Sequence, residues 1–560
     1  MLTTPLRSDL RARAAYAEGA GIYRILPGAV ATPVTTDELI RVLGWAREQG
    51  MPVIPRGAGS AMGGGNVGDG LVIDLCRLGE RRVTVDPRSG LARAAAGATG
   101  AMVNAAAARH RLRLATNPSS LPFATSAGLV STNAAGARSY RNGSVRRWVH
   151  GLDLVTADGE RLELRRGLPP SGAVAAVRRF EPTARKIRAA AHVVRLRFPE
   201  TRKNSSGYAL DAWLASGDLL DLFIGAEGTL GLVTEVHWNL EPVPEARGGL
   251  RVAVLDDGEL MYALGVLRAL KPSSIELLDR TFLRFVAGEL SDATAHLALR
   301  AGALLLVEFE GLPDQVHEGL RAARGRLAPH VYEVTAGYGE AAIEALWAIR
   351  HAASPILAGL GLERRSLQVI EDGCVPVEIL PRYLAALRTI PERHGVEAVI
   401  FGHAGDGHLH VNLLPDTTRR GWEETVRTIY DEVSAVQLAL GGTPTGEHGD
   451  GRLRAGLVER LYGREIVEMF RAVKHAFDPG LLLNPGIILP EPREPRGEPP
   501  VVGPESREEH PVSRLKVGAA AAELPADIAA ALREIEQRGN WNADRMEIAD
   551  RQTVRPSDRQ

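Results

Sequence analysis

The chain has only two cysteines, Cys76 and Cys374, among 560 residues. Two thiols exclude a disulfide framework, a four-cysteine zinc site and any cysteine-ligated iron–sulfur cluster built from this chain alone. Such sparing use of cysteine fits a reducing, cytoplasmic setting. A charge excess is also missing. Sixty-seven basic residues face 68 acidic ones, a net charge of −1, which argues against general nucleic-acid binding. Lysine is scarce, with five in the chain, so nearly every cation is Arg. That pattern reads as codon bias and carries little functional weight. Long apolar runs are missing too. No stretch approaches the roughly 18 uncharged apolar residues of a membrane span. The start, residues 1–23, carries Arg7, Arg11 and Arg13 and has no apolar signal core. Attachment at a membrane surface stays open.

What is present is ordinary for a globular protein: 45% hydrophobic and 24% charged residues. The length predicts two to four domains, with cores large enough to need no staples. Residues 36–50 read as an amphipathic helix capped by Thr36 and ended by Gly50. Short strands are expected at MPVIP and LVIDL (71–75). GLDLVTADGERLEL (151–164) reads as a hairpin around Asp-Gly, and 222–240 as strand–turn–strand. An α+β region is expected to end near residue 245. A second α+β region with an antiparallel sheet is expected over 246–490. After 490 the composition turns Pro- and charge-rich, as in a linker. One helix is expected near 525–537, and the rest of 491–560 shows no core pattern.

Two constellations carry chemistry. The first is glycine: PRGAGSAMGGGNVGDG has Gly at 57, 59, 63, 64, 65, 68 and 70. Residues without Cβ let backbone N–H groups approach a phosphate closely. A strand follows this loop, so it is not a Rossmann fingerprint, and no Gly-Lys-Ser/Thr makes it a Walker loop. Alone it reads equally as a surface loop. A second stretch, 116–144, is crowded with Ser, Asn, Gly and Ala, a poor core but a good wall for a flat polar ligand. A third, GAEGTLGLVTEV (225–236), is a glycine-kinked turn into a strand.

The second constellation is GHAGDGHLHVN, which places His403, His408, His410 and Asn412 together. If 408–414 is a strand, residues 408, 410 and 412 share one face and Leu409, Val411 and Leu413 the other. TGEHGDGR adds Glu447 and His448. A single His of this kind would be a surface histidine; three clustered with a Glu-His pair point to a metal. Imidazole and carboxylate donors suit Zn²⁺, Mn²⁺ or Fe²⁺.

These pieces in this order resemble the FAD-binding flavoprotein superfamily of vanillyl-alcohol oxidase and para-cresol methylhydroxylase. The likeness over residues 15–490 is closest to its D-2-hydroxy-acid dehydrogenase branch, which includes D-lactate, glycolate and D-2-hydroxyglutarate enzymes. It implies a two-part FAD-binding domain (1–245), a substrate and metal domain with an antiparallel sheet (246–490), and a C-terminal helical segment returning to the flavin. It assigns to noncovalent FAD the residues Arg56, Gly57, Gly59, Ser60, Gly64, Asn66, Pro118, Ser119, Gly128, Asn133, Gly136, Ser139, Glu227, Gly228, Val233 and Asn484. Ser60 stands where Thr is common, and the 131–136 run departs from the usual Asn-Asn-Ala-Gly-Gly type.

The resemblance also implies His403, His410 and Glu447 as ligands of a divalent metal, zinc or manganese by expectation. His448 is then the general base and Asn412 a substrate contact. His408, often Asn in the family, is either a supporting group or an extra ligand. Arg350, in a Trp-x-x-Arg helix that also carries Ser354, matches the carboxylate-gripping Arg. IEDGCVP (370–376) lacks the lysine that binds a second carboxylate in 2-hydroxyglutarate enzymes; Arg364, Arg365 or Arg452 are the candidates to replace it. The implied reaction oxidises a D-2-hydroxy acid to the keto acid, with hydride transfer to flavin N5. Electrons then pass to a separate acceptor, an iron–sulfur protein, quinone or cytochrome, because the cluster cysteines of many relatives are missing. The alternatives are an O₂-using flavin oxidase acting on another alcohol, or a flavin subunit of a larger complex.

Overall fold

The computed structural model describes residues 6–490, 510–518 and 521–551. The expected linker at 491–509 therefore lies outside the described residues.

Three larger sheets organise the described residues, beside a two-stranded ribbon of Leu112–Arg113 and Glu241–Pro242. The first is built on parallel strands Ala29–Ala31, Leu71–Asp74 and Val53–Arg56, with Leu6–Arg7 antiparallel at the edge. Parallel strands need cover on both faces, and alternation along these strands divides the two. Ala29, Ala31, Val53, Leu71 and Ile73 join the main core, beneath the helix Thr36–Glu48. That helix buries Leu39, Val42, Leu43 and Ala46, one face at helical spacing. Its cap is Thr35 rather than Thr36: the Thr35 hydroxyl accepts the Glu38 N–H, and the Glu38 carboxylate accepts the Thr35 N–H. The other face, Val30, Ile54 and Val72, packs against Tyr16 and against Ile528, Leu532, Ile535, Ile548 and Ala549.

The second cover thus comes from the C-terminal segment. Its helix Ala526–Arg538 falls where the sequence predicts one. A further helix, Arg545–Asp550, was not expected. Its buried Ile548 and Ala549 are only two residues long in pattern, too short for periodicity to reveal.

The second sheet has five antiparallel strands in the order Val83–Asp86, Leu91–Ala95, Leu232–Asn239, Val149–Val155, Arg161–Arg165. The last two form the expected Asp-Gly hairpin. The first strand expected within 222–240 is instead the helix Leu220–Phe223 and a turn. Leu220, Leu222 and Phe223 are all buried, and so short an apolar run does not distinguish strand from helix. The helix Arg464–Phe477 returns to this region, where Phe470 and Phe477 pack on Tyr208, Phe180 and Phe223.

The third sheet has seven strands, all paired antiparallel, with Glu397–His403, His408–Leu414 and Gly373–Cys374 at one end. Leu305 and Val307 face one core; Leu304 and Leu306 face another. The hairpin that ends this sheet carries the histidines.

Candidate active site

The strands Glu397–His403 and His408–Leu414 pair so that His403 stands opposite His408 and Phe401 opposite His410. Gly407, at φ +71°, closes the turn between them. Leu409, Val411 and Leu413 enter the core, so the alternation of the strand turns His408, His410 and Asn412 to the opposite face. Glu447 and His448 arrive on the loop after Thr443, which bridges back to Cys374.

Three atoms form a near-regular triangle. His403 Nε2 and His410 Nε2 are 3.4 Å apart, and Glu447 Oε1 lies 3.4 Å from the first and 3.5 Å from the second. Ligands about 2.1 Å from a tetrahedral zinc ion are separated by roughly 3.4 Å. The triangle therefore has the dimensions of one face of such a tetrahedron. The other ring nitrogens are held as ligating imidazoles require: His403 Nδ1 contacts the Glu276 carboxylate, and His410 Nδ1 lies 2.9 Å from the Glu371 carbonyl oxygen. His408 is not part of the triangle. Its Nε2 lies 2.8 Å from Asp372, and its Nδ1 faces the Lys203 ammonium at 3.3 Å.

The charges follow from these neighbours. Burial and the Lys203 charge push His408 down to about 3. Burial also lowers His410, to about 4, leaving its imidazole neutral and able to donate a lone pair. For His403 burial opposes the proton, but Glu276 and Glu447 outweigh it and raise the group to about 9. Burial raises Glu447, but Lys203 and His403 hold it well below the usual carboxylate range. Lys203 Nζ donates to Glu447 Oε2 at 2.7 Å and lies 3.8 Å from Asp406. A cation already sits in this group of donors, which fits a site built for positive charge.

His448 stacks on His410, with ring centroids 5.4 Å apart and planes 18° apart. Its Nδ1 is fixed by Glu371 at 2.6 Å, and its Nε2 stands 3.7 Å from Glu447 Oε1, at the edge of the triangle. Glu371 is itself held by Arg454 at 2.6 Å. The sequence reading takes His448 as neutral near pH 7. Its surroundings favour the opposite: burial is outweighed by Asp372 and Glu371, raising it to about 10.

Arg350 reaches the same cluster. Its guanidinium lies over Phe401 at 4.1 Å, and its Nε faces Glu276 at 3.7 Å without a hydrogen bond. Asn412 accepts from the Ser366 hydroxyl and leaves its Nδ2 unpaired. Ser354's side chain lies outside the described residues. Arg452 does not join this group: its guanidinium donates to the Gly64 and Val67 carbonyls. Arg364 pairs with Glu397 and Arg365 with Glu536.

The glycine loop and the 116–144 stretch meet this site. A Cβ on Gly451 would fall 1.9 Å from the Gly63 carbonyl oxygen, so the two loops cross where only glycine fits. Glu227, with φ +49°, accepts from the Gly451 N–H. Burial and nearby Asp450 raise its carboxyl to about 8. Asn484 Nδ2 donates to the carbonyls of Gly65 and Glu227, joining two of the three glycine-rich pieces. Ser139 donates to Asp406 in the histidine hairpin at 2.7 Å. Gly136 lies against Asn117 and Pro118, Ser119 follows them, and Gly57 against Thr125. The Gly128 N–H reaches the Thr125 hydroxyl, and Asn133 Oδ1 accepts from Arg146. Gly228 packs on Pro55 and Val233 lies in the core. Gly59, with φ +83°, and Ser60 lie on the same loop, whose Asn66 donates to Ala61.

Arg56 does not present a free cation, because its guanidinium donates to the Tyr16, Glu18 and Asn66 carbonyls and braces the loop. Buried oxygens of Asn484, Ser126 and Thr116 lack partners. A glycine-rich wall with buried, orphaned polar atoms fits a flat polar cofactor such as FAD.

Sequence reasoning missed Lys203, Glu276, Glu371 and Asp372. Lys203 had a signal: with five lysines among 67 cations, each departure from Arg is informative. Lys203, Lys474 and Lys516 all make near-buried ion pairs.

Residues 27–165 match the FAD binding domain model, and residues 260–488 match the model described as FAD linked oxidases, C-terminal domain. The glycolate oxidase subunit GlcD of Bacillus subtilis is 29% identical, over 83% of this chain and 89% of that protein. D-lactate dehydrogenase of Archaeoglobus fulgidus is 28% identical over 82% and 91%. D-2-hydroxyglutarate dehydrogenase of Pseudomonas putida is 30% identical, but this chain covers only 52% of its length. Among solved structures, 4-ethylphenol oxidase from Gulosibacter chungangensis aligns with a TM-score of 0.65 at 16% identity, over 87% of this chain and 94% of that one. p-Cresol methylhydroxylase gives 0.63 at 14%, with the same coverage. These structures share the fold.

Proposed function

Because the chain belongs to the FAD-linked oxidases, enzymes of the oxidoreductase class, we propose that it oxidises a short D-2-hydroxy acid to the 2-keto acid. The observation that carries the reading is the triangle of His403, His410 and Glu447, with His448 Nε2 at its edge. FAD held along the glycine loop would supply a two-electron acceptor for the Cα hydride, and a divalent metal held by the triangle would acidify the substrate hydroxyl.

The chain's own residues do the rest. Arg350 binds the substrate carboxylate as a fork, and Phe401, stacked beneath its guanidinium, holds it in place. His448, fixed through Nδ1 by Glu371, presents Nε2 to the hydroxyl and takes its proton. Asn412, with a spare Nδ2, donates to the substrate. Each cation considered for a second carboxylate is engaged elsewhere: Arg364 with Glu397, Arg365 with Glu536 and Arg452 with the glycine loop; Lys203, near the site, is paired with Glu447. This favours a monocarboxylate of the lactate or glycolate kind over 2-hydroxyglutarate. With Cys76 and Cys374 both free and far apart in sequence, the electrons leave to a separate acceptor. Among the described residues no helix is long and apolar enough to cross a membrane, which is compatible with cytoplasmic work.

The test is anaerobic flavin bleaching by a panel of D- and L-2-hydroxy acids. Rapid bleaching by D-lactate or D-glycerate supports the reading. A purified chain without a flavin spectrum, or one bleached by none of the panel, contradicts it.

A further inference from the structure

The C-terminal ends of the parallel strands, where open α/β sheets gather ligands, are not bare. Thr32, Gly57 and Cys76 follow the three strands there, and the segment 541–546 closes over them. A small cleft remains between the segment and the strand ends. Four guanidiniums line it, those of Arg56, Arg77, Arg81 and Arg545, against the two carboxylates of Asp74 and Asp544.

Both carboxylates are already engaged. Asp74 accepts from the Tyr16 hydroxyl and the Cys76 N–H, and Asp544 from the N–H groups of Met546 and Glu547. Arg545 is 4% exposed, and none of its three side-chain nitrogens has a hydrogen-bond partner. Its one contact of note is the Trp541 ring, 5.9 Å from the guanidinium carbon. Burial and the charge of Arg56 both work against its proton. Asp74 and Glu18 favour its proton, but among the described residues neither hydrogen-bonds to it, and a buried guanidinium without a hydrogen-bonded anion is strongly unfavourable.

We propose that this cleft is a phosphate-binding site completed by the C-terminal segment, with Arg545 as its principal cation. The fork of Arg545 matches two phosphate oxygens, and Gly57 and Ala58 of the glycine loop lie on the same cleft. Two sources share this chemistry: the pyrophosphate of FAD, which rests on the FAD reading above, and a free phosphate or pyrophosphate independent of it. In either case the segment after residue 509 is part of a ligand site as well as the second cover of the parallel sheet.

The test uses the full-length chain, with and without its flavin, as wild type and as Arg545→Met. Methionine replaces an unpaired buried charge with an apolar side chain, so the variant is expected to fold. Thermal unfolding is followed in inorganic phosphate and pyrophosphate, and FAD affinity by flavin fluorescence. Pyrophosphate should raise the melting temperature of flavin-free wild type and leave Arg545→Met unmoved. If FAD is the source, FAD binding to the variant weakens at least ~30-fold, as for loss of one partner of a buried charge pair, and the pyrophosphate response disappears in the flavin-loaded wild type. If the source is a free anion, the response persists in the loaded protein and FAD affinity is unchanged. A wild type that binds no FAD removes the first source and the earlier reading, while the pyrophosphate response still decides the site. Should Arg545→Met fail to fold, Arg545→Gln carries the same readouts. Equal responses of wild type and variant to pyrophosphate, together with equal FAD affinities, overturn the proposal.

Discussion

Among the described residues, histidines and carboxylates gather in two regions, the hairpin, where Glu371, Asp372 and His448 also meet His410, and the five-stranded sheet, and only the hairpin has the form of a ligand set. In the first, His403, His408, His410 and Glu447 gather on the terminal hairpin of the large sheet; in the second, Asp153, Glu235 and His237 lie on neighbouring strands of the five-stranded sheet. Proximity is similar in both. The difference lies in what the remaining lone pairs and charges do. Asp153 is neutralised by Arg165 at 2.6 Å and Glu235 by Arg93 at 2.6 Å, and His237 stands 3.3 Å from Glu235. Each carboxylate there has an arginine counter-charge, although Asp153 Oδ1 and His237 Nε2 make no well-formed hydrogen bond. In the first cluster the donors of His403, His410 and Glu447 point at a common centre while the outer nitrogens are pinned from behind. A metal site is thus recognised by the second layer of contacts as much as by the donors.

The sharpest ways to break this contrast begin with Glu447. Glu447→Gln keeps the volume but loses the shared anion, and should abolish flavin reduction by substrate. His448→Ala should slow it by about 10²–10⁴-fold, the range for a removed general base, with FAD still bound. Full activity in either variant would contradict the site.

The next test concerns pH. His448 must be neutral to accept a proton, and Asp372 and Glu371 raise it to about 10. Activity therefore rises with pH through that group's pKa. Glu371→Gln removes one of the charges that favour its proton, so the acid limb of the kcat/KM profile should move to lower pH; a shift the other way would reverse the assignment. Arg350→Ala should raise KM for a 2-hydroxy acid by roughly 10–100-fold, the loss of one charge-assisted pair, and leave the D over L preference unchanged.

The smallest effect belongs to the second cluster. For His237 burial is outweighed by Asp153 and Glu235, which raise it above its ordinary value of 6.5. Its contribution to stability is fully present below that ordinary value and is lost as pH rises through the folded value. His237→Gln should remove this pH dependence, within about 1 kcal/mol, and leave activity and metal content untouched. Denaturant titrations at pH 6 and pH 8.5 measure it.

Much of the site was legible because it is written in short, dense motifs. GHAGDGHLHVN placed its histidines by strand alternation alone, and TGEHGDGR supplied the carboxylate and base. Arg350 was readable only through family likeness, since one Arg on a helix has no pattern of its own. The supporting carboxylates were not legible. Glu276 lies in SSIELLD, where it reads as an outward residue on a strand, and only the pairing of Ser274–Asp279 with Glu397–His403 brings it to His403. The contacts of the Arg452 and Arg56 guanidiniums were not legible for one reason: a guanidinium near a glycine loop can satisfy backbone carbonyls as readily as a ligand, and sequence does not tell the two apart. In the fold, the terminal helix Arg545–Asp550 was hidden because its pattern is too short, although the double-sided burial of parallel strands demanded some cover there.

The central claim is that His403, His410 and Glu447 hold one metal ion and that the Asp153–Glu235–His237 group holds none. Elemental analysis of the purified chain, as wild type, His410→Ala and His237→Ala, tests it directly. The account predicts close to one equivalent of zinc or manganese in wild type and in His237→Ala, and almost none in His410→Ala. Metal retained in His410→Ala, or lost from His237→Ala, would contradict it.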